Sequence, residues 1–173
     1  MLSGLPKKVD LYRMAVAGES HAGQLRQSAF PRLAAAHSEV ERWVDISLRF
    51  GREQGVHYLR GNLKTELSVV CQRCMNPMDL AVDTSFALGF VRNREEERCL
   101  PEGFEPLWVE RSEMDLLAIV EDELLLGLPM VVLHPPAQCP SWVDPLQMQT
   151  GERAESDGST PFSVLAALTQ DRD

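Results

Sequence analysis

Apolar and polar residues alternate over three successive stretches in the middle of the chain. Val44, Ile46, Leu48 and Phe50 interleave with Asp45, Ser47 and Arg49. After a turn at Gln54-Gly55, Leu59, Leu63, Leu67 and Val69 share one parity, while Arg60, Asn62, Lys64, Glu66 and Ser68 hold the other. After Cys71 to Pro77 the pattern resumes with Leu80, Val82, Thr84, Phe86, Leu88 and Phe90 against Asp79, Asp83 and Ser85. Successive side chains of a strand point to opposite faces, so each stretch predicts a strand with one dry face. The turn signals between them predict an antiparallel meander of three strands or more.

The period changes at Asp115-Leu-Leu-Ala-Ile-Val-Glu-Asp-Glu-Leu-Leu-Leu-Gly-Leu-Pro129. Leu117, Val120 and Leu124 fall on one helical face, widened by Leu116 and Ile119. Ser112 with Asp115 three residues on offers a weak capping box, Gly127 a left-handed stop, and Pro129 a barrier to continuation. Elsewhere the signals are shorter. Leu11 to Val16 and Arg32 to His37, with Pro31 in its first turn, predict short helices. Ser20 to Gln27 predicts an extended piece, and Glu105 to Glu110 a further short strand. Arg92 to Arg98 reads as a charged loop. The expected fold is α+β: an antiparallel meander packed with one long helix and short N- and C-terminal helices. Residues 1–134 form the single domain, least defined over 1–40. Residues 135–160 read as a disordered linker, and 161–168 as a short apolar helix.

Charge narrows the function. Seventeen basic and 26 acidic residues give a net charge of −9. Residues 1–80 nevertheless carry 11 basic and 8 acidic groups, so the remainder holds 6 and 18. Such a balance argues against autonomous binding of nucleic acid through phosphates, but Arg49, Arg60 and Lys64 share the wet face of the meander and are the candidate RNA-facing residues. No aromatic stacking platform shows on that face. No stretch approaches the length of a membrane span, the N-terminus lacks a signal-peptide core, and the location expected is cytoplasmic. Glu121, Asp122 and Glu123 interrupt an otherwise apolar helix. They read either as solvated surface or as contacts for a basic partner; adjacent helical residues point about 100 degrees apart and do not converge on one ion.

Cys71-Gln-Arg-Cys74 at the turn between two strands is half of a zinc knuckle. Cys99, Cys139 or His134 would supply the other half, and Cys71, Cys74, His134 and Cys139 make a chemically sound set. Two reduced thiols closing a turn are the plain alternative. A redox role would need the first cysteine at a helix N-terminus, whereas this motif follows a strand. No phosphate-binding glycine loop or nucleophile motif accompanies these residues, and no enzyme is expected.

Taken in order, the CxxC with Pro77, Leu100-Pro-Glu-Gly-Phe-Glu-Pro106, the Val-Glu-Asp-Glu helix with His134 and Cys139, and Pro161-Phe-Ser-Val-Leu-Ala-Ala-Leu168 resemble the YceD family. These are the large ribosomal RNA subunit accumulation proteins of bacteria and plastids, and the resemblance covers about residues 40 to 168. It implies a non-enzymatic part in the synthesis, processing or stability of 23S ribosomal RNA during large-subunit assembly. The implied partners are a large-subunit ribosomal protein or an rRNA-processing factor, with 23S rRNA met directly or indirectly. No small-molecule substrate and no membrane are expected. Some family members carry further cysteines after the helix that complete a zinc site; this chain has His134 and Cys139 there. The family assigns no catalytic residues. An acidic protein in this setting suits a basic protein more than bare RNA, so an acidic adaptor for a basic ribosomal protein is the second reading.

Overall fold

A computed structural model describes residues 6–35 and 41–140. Its centre is a five-stranded sheet built from β2 (Ser20–Arg26), β3 (Trp43–Glu53), β4 (Val56–Val70), β5 (Pro77–Val91) and β6 (Glu105–Trp108), in that spatial order. β1 (Lys8–Val9) pairs separately with β7 (Met114–Asp115). The helices are α1 (Leu11–Ala17), α2 (Pro31–Ala35), α3 (Arg94–Arg98) and α4 (Leu116–Leu126). No helix among the described residues is long and apolar enough to cross a membrane.

The alternating pattern sets the sheet. Phe50 pairs with Leu59, Ile46 with Leu63, Leu63 with Thr84 and Leu67 with Leu80, so the apolar parities of β3, β4 and β5 fall on one face. Leu48, Leu59, Leu63, Leu67, Val82 and Leu88 on this face are buried. Leu11 and Met14 of α1, Phe30 and Leu33 around α2, and Leu116, Ile119, Val120 and Leu124 of α4 share the same core. Gly61 sits mid-strand because Phe86 lies over it: a Cβ there would come within 2.2 Å of the Phe86 ring.

Four details differ from the sequence expectation. β6 runs parallel to β5, so the sheet is mixed and not a pure antiparallel meander. The reason is the connection: β5 leads into α3 and a turn at Gly103, and this excursion returns the chain in the same direction. Residues 94–98 are thus a short helix and not a loop; Asn93 caps it by accepting from the Glu95 and Glu96 amides. The long helix is only 11 residues, because Asp115 itself is the N-cap, accepting from the Leu117 and Ala118 amides in place of the Ser112 box. Gly127 ends α4 in a right-handed conformation, φ −72°. Its lack of a side chain serves packing, since a Cβ would lie 2.7 Å from that of Thr84.

The N-terminal pieces expected over 11–16 and 20–27 correspond to α1 and β2, and the helix expected over 32–37 to α2, with 36–37 outside the described residues. Beyond α4, residues 130–133 form no strand, and Pro136–Gln138 makes a 3-10 turn that leads to buried Cys139. Residues 135–140, the start of the expected linker, are among the described residues. The rest of that linker and the apolar segment 161–168 lie outside the described residues.

Candidate metal centre and the surfaces around it

The turn between β4 and β5 is wound tightly. Cys71 N donates to Asn76 O and Met75 N to Cys71 O, both at 2.9 Å. Met75, directly after the second cysteine, takes a left-handed conformation with φ 60°. That conformation strains a residue with a Cβ, and it falls in the turn whose Arg73 and Cys74 amides face the Cys71 sulfur. The chain leaving α4 crosses to this turn. Gln72 N donates to Val132 O at 2.9 Å, and His134 N donates to Cys71 Sγ at 3.3 Å.

This crossing brings Cys71, Cys74, His134 and Cys139 together, with their ligand atoms all within 4.8 Å of one another. Cys74 Sγ lies 3.3 Å from His134 Nδ1. A tetrahedral zinc with bonds of about 2.3 Å to sulfur and about 2.0 Å to nitrogen has ligand–ligand edges of about 3.5 to 3.8 Å. The quartet is close to that size. Cys71 and Cys139 are buried and the other two half-buried. Burial pushes the Cys71 thiol up, but the amides of Cys74, His134 and Arg73 and the His134 side chain outweigh it and bring the thiol down to about 5. These contacts favour the Cys71 thiolate, the form that binds metal. Cys74 moves the other way: burial raises it, and the neighbouring Cys71 and Cys139 sulfurs raise it further. Several thiols this close cannot all ionise without a cation between them. Cys99, the remaining cysteine, is exposed and outside the quartet.

The acidic block of α4 divides three ways. Glu121 is 5% exposed. Its carboxylate accepts from the Arg32 amide at 2.6 Å, the Leu33 amide at 3.2 Å and the Arg32 guanidinium at 3.1 Å. Pro31 opens α2 and Phe30 before it has no side-chain acceptor, so the free amides of that helix start are satisfied from α4 instead. The basic partner of Glu121 is therefore within the chain. Asp122 pairs with Arg32 at 2.6 Å and is half exposed. Glu123 faces a groove beside β6, and its carboxyl lies above the usual range through burial, then the nearby Glu105 and Asp122. Buried Glu121 was not legible as such in the sequence; its signal is Pro31, a helix start without a capping side chain.

Arg49, Arg60 and Lys64 do share the open face of the sheet, Arg49 and Arg60 as direct cross-strand neighbours. Two are compensated there. Arg60 bonds Glu53 at 2.8 Å, and Lys64 bonds Asp83 at 2.8 Å. Arg42, just before β3, joins Glu66 and Asp79. The sequence reading missed Trp43, which falls on the parity of Asp45 and Arg49. It is 48% exposed, with the Arg26 guanidinium 4.3 Å over its ring.

Comparison with known proteins now bears on this arrangement. The family profile "Large ribosomal RNA subunit accumulation protein YceD" matches residues 59–169. A protein of that same description from Haemophilus influenzae is 31% identical over 170 residues, 96% of this chain and 97% of its own length. The chain belongs to the YceD family. The matched segment takes in all four residues of the quartet together with α4. No solved structure matches the chain.

Proposed function

We propose that this chain is a non-enzymatic ribosome-biogenesis factor. It promotes accumulation of 23S rRNA during large-subunit assembly, in the cytoplasm. The observation that carries the reading is the match, over nearly the full length of both chains, to a protein named for accumulation of large-subunit rRNA. The quartet fits a structural role in such a factor. Four side-chain ligands fill a tetrahedral zinc completely, whereas catalytic zinc keeps an open position for water. Cys71, Cys74, His134 and Cys139 would hold the ion, and the ion would fasten the chain after α4 to the β4–β5 turn.

One observation favours contact through a basic protein over contact with RNA. Arg60 and Lys64 already have carboxylate partners on their own face. Phosphate would have to displace Glu53 and Asp83 on a chain of net charge −9. In this second reading the protein is an acidic adaptor for a basic ribosomal protein, and Arg49, Arg60 and Lys64 are dispensable.

Capture of the tagged protein from growing cells tests both readings, with protein and RNA identified from the same eluate. Large-subunit precursor particles are expected. A basic ribosomal protein retained after nuclease treatment supports the adaptor. Recovery of neither precursor rRNA nor a ribosomal protein contradicts the assignment.

A further inference from the structure

α4 and the edge strand β6 border a groove of about 560 Å³. Leu107, Leu125 and Leu126 give it an apolar lining, and Leu126 is 74% exposed. Glu105, Asp122 and Glu123 line it as well. Among the described lining residues Arg32 is the only cation, and Glu121 and Asp122 already bind it. The groove thus sets an exposed leucine beside two carboxylates, Glu105 and Glu123, that have no cationic partner among the described residues. The crowding shows in Glu123, whose carboxyl is held above the usual range by burial and by the two neighbouring acids.

We propose that this groove receives a cationic segment of a protein partner, with Lys or Arg side chains meeting Glu105 and Glu123 while an aliphatic side chain covers Leu126. The proposal rests on the protein-partner reading above and gives that partner a docking face. Charge complementarity selects the occupant. RNA would bring phosphates to three carboxylates. The chain's own residues 141–173 hold six acids against two arginines and suit the groove poorly. A metal ion is not the occupant either: among the described residues these carboxylates do not gather as the Cys/His quartet does. Pro106 removes an amide from β6, so recognition runs through side chains and not through addition of a strand. An apolar anchor ringed by charge pairs is the usual composition of such a contact.

The test uses the purified full chain and a short labelled peptide of alternating lysine and leucine pairs, with oligolysine of equal charge as comparison. The mixed peptide is expected to bind at least about tenfold tighter than oligolysine. Glu105→Gln/Glu123→Gln and, separately, Leu126→Ser should each weaken it about tenfold. Both alter surface positions, and circular dichroism confirms that they fold. The control Glu102→Gln/Glu113→Gln makes the same charge change at exposed acids outside the groove and should leave binding within about twofold. Equal losses in control and groove variants mean generic attraction and overturn the proposal, as does binding indifferent to Leu126. A tenfold gain on deleting residues 141–173 means that the chain fills its own groove, which also overturns it. The peptide assay reads the groove alone. A cell-based 23S assay of the same variants reads the biogenesis role, so either can fail without the other.

Discussion

α4 is tied to the rest of the protein at two places, by different chemistry. Near its middle, Glu121 clamps α2 through two amides and a guanidinium, and the tie is complete within the polypeptide. Past its end, the chain reaches the β4–β5 turn through two backbone contacts and a cluster of three sulfurs and an imidazole. The first tie uses an unpaired helix start and a buried carboxylate that satisfy each other. The second crowds thiols together, and without a cation between them they cannot all ionise. One tie is autonomous, and the other, on the reading proposed above, is completed by a metal ion.

The largest effect that separates them is metal loss. Purified protein should carry one zinc per chain by elemental analysis. Strong chelation, or Cys71→Ser with Cys139→Ser, should lower Tm by at least about 10 °C. Amide exchange should quicken at Gln72 and over residues 130–139 before it does in β3. Metal well below stoichiometry, with a melting curve indifferent to chelator, would remove the contrast between the ties.

Breaking the autonomous tie comes next. Glu121→Ala leaves the Arg32 and Leu33 amides without an acceptor in a buried site, which costs about 3 kcal/mol. Zinc content should stay unchanged in this variant, whose stability is read by denaturant titration. A loss under about 1 kcal/mol would show that water replaces the carboxylate. Met75→Gly sharpens the metal side alone. It relieves a left-handed φ at a residue 72% exposed, and should stabilise the chain by about 0.5 kcal/mol while slowing zinc release to a chelator.

The smallest effect concerns Glu123, which belongs to neither tie. Its folded-state carboxyl holds its proton more tightly than in the unfolded chain, so ionisation destabilises the fold at neutral pH. That penalty fades as pH falls toward the unfolded value of about 4.3, below which both states are protonated. Glu123→Gln should therefore raise Tm slightly at pH 7, by about 1 to 2 °C, and not at all at pH 4. An equal shift at both values would assign the effect to packing and not to charge.

The sequence carried unequal amounts of information about these regions. The faces of β3, β4 and β5 were legible because one wrong parity would expose a whole row of leucines and phenylalanines. The quartet was legible because few side chains bind metal softly, and the turn motif left few partners to choose from. The parallel pairing of β6 was not legible: strand direction depends on how the 92–104 excursion packs, and four residues carry too little pattern. The fate of Glu121–Glu123 was hidden for a similar reason. Three adjacent acids look alike in sequence, and only the position of α2 buries the first and leaves the third at a groove. Trp43 went unnoticed because it stands at the first position of its strand, where alternation has not yet begun.

The central claim, a role in accumulation of the large-subunit rRNA, is reached most directly by the molar ratio of 23S to 16S rRNA in cells depleted of this protein. The expected result is a ratio that falls during depletion and is restored by the wild-type chain, and by the Arg49→Gln/Arg60→Gln/Lys64→Gln variant, but not by Cys71→Ser/Cys139→Ser. An unchanged ratio throughout depletion would contradict the assignment.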